Sequence, residues 1–294
     1  METLNVVVVC DGEASSATIV MKQLCQHSKH NLTLYQWKPE LTSETDILYF
    51  HYGGILLEKH PRTLTYLDAP MKKIAGLRGL LTFKRWAVKL NPTHFHDFIG
   101  KLDAVSCSNA ELQQMFIDVR PDIPTFICHS GVDTELFKPS PPPKHFCIGW
   151  AGNAFSGAKM FYNFTKLPFS KRTAGDGIGT YRKFEGMPQF YPLISVYVSV
   201  STEEGSPVPP KEAAACGRPV VAIDVGDLSE WVPEEYLVST WRELVPIIKQ
   251  FREDRSLLEV AVSRFRGLSL KWDYSLVARE YDDMFERVVV RQEV

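Results

Sequence analysis

No stretch of the 294-residue sequence is apolar for long enough to span a bilayer. The opening METLNVVVVC has no basic leader ahead of an apolar core; it reads as a first strand, which makes a cytoplasmic protein the expectation. No CxxC pair or Cys/His ladder occurs among the six cysteines. They are scattered, mostly inside apolar runs, so no structural zinc site is expected and reduced core thiols are. There is no excess of either charge: the formal net charge is -2, which gives no global attraction to nucleic acid. Repeats and low-complexity tracts are absent. A glycine fingerprint for dinucleotides is also missing, because CDGEAS after the first strand does not supply GxGxxG and GDGIG follows no clear strand.

What is present is an alternation of short apolar runs with longer amphipathic ones. LNVVVVC (4–10), DILYF (46–50), RTLTYL (62–67), DAVSCS (103–108) and PTFICH (124–129) are expected strands. ATIVMKQLCQH (17–27) and NAELQQMFIDV (109–119) are expected helices, the second capped by Ser108 or Asn109. Continuous apolar strands between helices favour a parallel α/β sheet. GVDTELFKPSPPPKH (131–145) interrupts the rhythm with Pro139 and Pro141–Pro143, and reads as a stiff linker. The pattern restarts with FCIGWAGN (146–153), ISVYVSV (194–200), PVVAI (219–223) and EYLVS (235–239). Two α/β domains follow, with residues 1–138 and 139–270 as the expected division. A tail of helical periodicity breaks near Gly267, and in its last part Trp272, Leu276, Tyr281 and Phe285 are expected to pack.

The stretch TEEGSPVPPKEAAACG (202–217) follows an expected strand and enters an Ala-rich segment closed by Gly217. In open parallel sheets ligands gather beyond the carboxyl ends of strands. A helix beginning there offers backbone N–H groups and the positive end of its dipole to a phosphate. Glu212, at the head of that helix, could accept hydroxyl protons from a ribose, and Glu204 lies on the loop side beside Gly205. The plain alternative is a pair of solvated acids.

In order, GVDTELFKP, IGWAGN, then YPLISVYVSVSTEEGSPVPPKEAAACGRPVVAIDVGDLSEWV and the Trp-containing tail resemble the large retaining family (family 4) of B-type nucleotide-sugar glycosyltransferases. The resemblance covers 146 to about 290 most closely. It implies two Rossmann-like domains facing across a cleft, the GT-B fold, with an unusually short N-terminal domain and a C-terminal helix (271–294) packing back on that domain. It implies that Glu212 binds the nucleotide ribose and Glu204 lies beside the donor sugar, with Gly205, Ser206 and Val208 in the phosphate-binding turn. Pro207, Pro209 and Pro210 depart from the pattern, since they cannot donate. Lys159 is the implied phosphate cation; where the family has an arginine near the glycine turn, this chain has Gly152 and Asn153. The implied reaction is retaining transfer from a nucleotide diphosphate sugar, with UDP the first guess and GDP the second, to a hydroxyl acceptor. No cofactor is implied. No Asp-x-Asp motif accompanies these elements, so metal independence is expected.

Weaker assignments complete the site. Arg182, in GDGIGTYRKF, could approach the nucleotide, and Gly12 could border the donor phosphates; a plain surface turn explains the first equally well. His51 and Asp68 are acceptor-side candidates, with a structural role the alternative for His51. Lys72–Lys89 alternates basic and apolar residues and is a candidate for peripheral contact with an anionic membrane or an acidic acceptor, or else a helix face covering the sheet. Glycan, lipid-linked, small-molecule and nucleic-acid acceptors are all compatible with this reading. A nucleotide-sugar epimerase shares the architecture but fits the acid block less well. A degenerate nucleotide-sugar-binding protein or partner subunit is the non-enzymatic alternative.

Overall fold

The computed structural model describes residues 2–12, 16–52, 65–79, 83–84, 99–178 and 183–290. The chain divides into two compact units, one of Met1–Ser130 with Tyr274–Val294 and one of Gly131–Asp273.

The first unit is built on a six-stranded parallel sheet. Its strands are β1 (Asn5–Cys10), β2 (Asn31–Gln36), β3 (Ile47–Phe50), β4 (Lys72–Leu77), β5 (Ala104–Cys107) and β6 (Thr125–Ile127), in the order β2-β1-β3-β4-β5-β6. Strands β3 and β5 are buried along their whole length, as expected of strands covered on both faces. Helix α1 (Ser16–His27) follows β1, and α2 (Ala110–Val119) follows β5. Asn109 caps α2, its Oδ1 accepting the Leu112 N–H at 2.8 Å.

The last helix, Tyr274–Val290, packs against α1. Asp282 on it accepts from Ser28 Oγ at 2.5 Å and from the Lys29 backbone N–H at 3.2 Å. Tyr281 OH donates to the His129 carbonyl at 3.0 Å, and Glu280 accepts the His129 backbone N–H at 2.8 Å. Tyr274, Val277, Ala278, Tyr281, Met284, Phe285 and Val288 form the buried face. Leu276, expected to pack, is 40% exposed. A helix that starts at Tyr274 turns position 276 away from the stripe through 277, 281, 284 and 288.

Two further expectations change here. Within 62–67, Thr65–Asp68 is a single 3-10 turn that buries Leu67, and residues 62–64 lie outside the described residues. Lys72–Leu77, read as the start of a basic amphipathic segment, is the interior strand β4, with Ile74, Ala75 and Leu77 fully buried. With Ile74, Ala75 and Leu77 buried in the sheet, this strand presents no apolar face to a bilayer. Its basic residues are occupied as well: Lys72 pairs with Asp103 at 3.2 Å, and Lys73 Nζ donates to the Ala69 carbonyl at 3.1 Å. The remainder of 72–89 lies largely outside the described residues.

The second unit carries a five-stranded parallel sheet of β7 (Ile148–Ala151), β8 (Lys171–Ala174), β9 (Val196–Ser199), β10 (Val220–Ile223) and β11 (Leu237–Val238), in the order β11-β10-β9-β7-β8. Its helices are α3 (Phe161–Thr165), α4 (Val208–Ala215), α5 (Leu244–Glu253) and α6 (Arg255–Ser269). Helix α6 runs through Gly267 without a break and packs on α4. The interruption falls at the 3-10 turn Leu270–Trp272. A lone glycine lowers helix propensity by only about 1 kcal/mol, which tertiary packing outweighs.

The proline-rich segment does not run free. Arg266 donates to the carbonyls of Thr134 (3.3 Å) and Phe137 (3.1 Å), while the buried Arg218 donates to those of Ser140 (2.8 Å) and Pro141 (3.2 Å). Phe137 stacks edge-on against Tyr191. These contacts hold 131–141 within the second unit, so the chain enters that unit after Ser130, ahead of the prolines. None of the described helices is long and apolar enough to cross a membrane.

Candidate active site

The second sheet changes direction between β7 and β9: the chain moves outward from β7 to β8, then returns to place β9 on the other side of β7. The loops leaving β7 and β9 therefore diverge at their carboxyl ends and open a crevice, the place where parallel α/β sheets bind ligands. Both loops carry residues singled out in the sequence. After β7 come Gly152, Asn153 and the short turn Gly157–Lys159; after β9 come Glu204, Gly205 and Ser206. The loops are hydrogen-bonded to each other, the Thr202 N–H donating to the Ala158 carbonyl at 2.9 Å.

That tie brings the side chains together. Lys159 Nζ lies 2.5 Å from Glu204 Oε1, with the two side chains 24% and 12% exposed. A half-screened lysine on a carboxylate is a cation that can be shared with an incoming anion. Asn153 instead serves its own turn, its Oδ1 accepting the Phe155 N–H at 2.9 Å. Gly152 donates to the Ala174 carbonyl at 3.0 Å. Beside it Gly175 has φ +138, and a Cβ there would sit 1.7 Å from the Gly152 oxygen, so only glycine allows the two turns to touch.

Helix α4 begins at Val208, with Pro207 before it and Pro209 and Pro210 in its first turn, where proline costs no intrahelical hydrogen bond. Glu212 is the fifth residue of this helix, not one of the first two, and it is buried, with 4% exposure. Its Oε2 accepts from Tyr191 OH at 2.5 Å. One carboxylate oxygen is thus engaged inside the unit. Burial pushes the Glu212 carboxyl up to about 7, against the smaller opposing effect of the Tyr191 hydrogen bond. Tyr191 is itself raised well above the ordinary phenol range, by its own burial first and by Glu212 second.

Sequence reasoning missed three groups. Tyr191 gave no signal, being one aromatic in an apolar run. Lys211 and Asp227, sixteen positions apart, form an ion pair of 2.5 Å in which both side chains are fully buried. A lysine in the otherwise apolar surroundings of VPPKEAAA, beside the one acid Glu212, was the available hint. The third is Arg78, counted as part of a basic surface segment. It is instead embedded in the first unit, where it donates to the carbonyls of His51 (3.1 Å) and Cys128 (2.6 Å), to Ser106 Oγ (2.6 Å) and to Tyr49 OH.

The remaining candidates in the first unit do not share one environment. His51 follows β3 and is buried, with Nδ1 3.1 Å from Tyr49 OH; desolvation first and Arg78 second hold its pKa well below the usual imidazole value. Asp68 is exposed and pairs with Lys101 at 2.5 Å. Gly12 follows β1, beside β3 at the point where the first sheet changes direction. Arg182 lies outside the described residues. Among the described residues no three His, Cys, Asp or Glu side chains converge to hold a metal ion.

The fold is similar to that of several solved structures. HepE of Anabaena in complex with UDP superposes with a TM-score of 0.74 over 97% of this chain and 100% of that one, at 15% identity. The same protein with UDP-glucose gives 0.73 at 16% identity, again over 97% and 100%. Sucrose-phosphate synthase from Thermosynechococcus elongatus gives 0.72 at 12% identity over 98% of this chain and 100% of that chain. The chain has the GT-B glycosyltransferase fold. Within that GT-B chain, residues 171–251 match the family described as glycosyl transferases group 1, a span that includes Glu204 and Glu212. No curated protein sequence matches the chain.

Proposed function

We propose that the protein is a retaining glycosyltransferase that moves a sugar from a nucleotide diphosphate donor to a hydroxyl acceptor without a metal ion. UDP is the favoured nucleotide and GDP the next. The observation that carries the reading is the convergence of Lys159 and Glu204 at the carboxyl ends of β7 and β9, with Glu212 on the helix that follows. The UDP and UDP-glucose bound by HepE support the choice of donor.

In this reading Glu212 accepts a ribose hydroxyl through the oxygen that Tyr191 leaves available. The donor diphosphate draws Lys159 from Glu204, and the lysine then offsets charge as the diphosphate departs. The acceptor oxygen attacks the anomeric carbon from the face the diphosphate leaves. The breaking C–O bond gives its electron pair to the phosphate oxygen, and that oxygen takes the acceptor proton. Glu204 orients the donor sugar and forms no covalent intermediate.

Incubation with a panel of UDP- and GDP-sugars and mixed acceptors, read by mass spectrometry, tests the proposal. Transfer, or slow release of nucleotide to water, is the expected result. A folded protein that neither transfers nor hydrolyses any donor would overturn catalysis. Tight donor binding without turnover would favour the second reading, a nucleotide-sugar-binding subunit. Pro207, Pro209 and Pro210 favour that reading, because they remove amide donors from the turn that would hold a leaving diphosphate.

A further inference from the structure

The turn between Glu204 and α4 is poor in amide donors, so the direction of those that remain matters more than usual. The structure supplies a device beneath it. Lys211 Nζ donates to Asp227 Oδ2 at 2.5 Å and to Ser206 Oγ at 2.7 Å, and it lies 4.2 Å from the centre of the Trp272 ring. Ser206 Oγ in turn donates to the same Asp227 Oδ2 at 2.5 Å. Asp227 Oδ1 is buried with no hydrogen-bond partner among the described residues, so the carboxylate's hydrogen bonds are all made on the side of Ser206 and Lys211.

Backbone packing points the same way. Gly226 has φ +67, and a Cβ there would meet the Gly205 carbonyl oxygen at 2.4 Å and Glu204 Cβ at 3.2 Å. The loop after β10 thus lies directly against the turn that carries Glu204. Trp272, which covers the lysine, is fixed by the Val132 N–H donating to its carbonyl at 2.8 Å. An ion pair with both members at 0% exposure is a poor choice for stability alone, since apolar residues of the same volume do as well or better. What such a pair can give is a single allowed geometry.

We propose that Lys211 and Asp227 are positioning residues that lock Ser206, and through it the Glu204–Val208 turn, in the orientation that receives the donor's phosphates and sugar. They act through Ser206 and do not touch the donor themselves. The inference rests on the donor reading above for its functional consequence, but not for its structural one.

Two variants test it. Ser206→Ala leaves the ion pair intact and unhooks the turn, while Lys211→Met with Asp227→Asn removes both charges together and avoids stranding one. Amide hydrogen exchange over residues 202–208 of the ligand-free protein is the primary measurement, with thermal unfolding as the control for global damage. The expected result is exchange at least about fivefold faster in that segment for both variants, with exchange in the β7 and β10 segments unchanged. Equal exchange in wild type and Ser206→Ala would overturn the positioning role. Acceleration spread evenly over the second unit would overturn it too, by making the pair a general core element. UDP titration by calorimetry is the second measurement. Both variants should raise the Kd about tenfold, and an unchanged Kd in a folded variant would refute the functional consequence. If wild type binds neither UDP nor GDP, the donor reading fails, and the exchange comparison still decides the lock.

Discussion

Glu212 carries an electrostatic cost that a single substitution should expose. Its carboxyl is displaced from an ordinary 4.5 to about 7, chiefly because burial disfavours the charge. At 1.36 kcal/mol per pH unit, a displacement of that size corresponds to about 3 kcal/mol. The folded protein holds this proton more tightly than the unfolded chain does. The resulting contribution to stability is therefore complete below about pH 4.5 and is lost as pH rises through about 7. Glu212→Gln keeps the shape and still accepts from Tyr191 OH, but has no charge to bury. The variant should be the more stable protein in alkali, with an advantage that grows by about 2 kcal/mol between pH 5.5 and 8.5. Urea unfolding followed by tryptophan fluorescence is a suitable assay, because Trp150, Trp231, Trp241 and Trp272 all lie in the second unit. The same variant should bind UDP at least about tenfold more weakly, about 1.4 kcal/mol, if the ionised carboxylate grips a ribose. A stability difference that does not change with pH, or a variant less stable at pH 8.5, would refute the electrostatic argument. Unchanged UDP affinity would refute the ribose assignment.

Other expectations follow from neighbouring contacts. Lys159→Met should weaken UDP binding by about tenfold to a hundredfold, the usual range for a charged hydrogen bond. It should shift stability by less than about 1 kcal/mol, since the Lys159–Glu204 pair is partly solvated; calorimetry and thermal unfolding separate the two effects. His51, held neutral by burial and Arg78, contributes stability present above about 6.5 and lost as pH falls below it. His51→Asn should therefore flatten the acid side of the first unit's stability profile, opposite in sign to the Glu212 effect, and superimposable acid profiles would exclude it. Gly175→Ala should cost about 2 kcal/mol or more, because it forces a Cβ against the Gly152 carbonyl at a positive φ. A denaturation midpoint within error of wild type would contradict the contact between the two turns.

The legible parts of this protein are those written in local pattern. Continuous apolar strands such as VVVV in β1 and VVAI in β10, a cap at Ser108 or Asn109 and the Gly217 stop identify themselves, because burial on both faces and helix termination each demand particular residues at short range. Strands without that pattern were not legible. β2 alternates and lies at a sheet edge, β8 reads KRTA on the other sheet's edge, and β4 begins with two lysines. The acids Glu204 and Glu212 were visible through their spacing and the elements around them. The pairings were not: Lys159, expected only as a phosphate cation, meets Glu204 from 45 positions away, Tyr191 meets Glu212 from 21, and Asp227 meets Lys211 from 16. Such pairings are made by the crossing order of β7, β8 and β9 and by loops packing over a sheet, which no local periodicity encodes. By itself the sequence determined two parallel α/β sheets and an acid-bearing turn at the end of one strand. Only the tertiary structure decided which charges are buried, which are shared, and which hold the turn in place, because burial and distance belong to the folded chain alone.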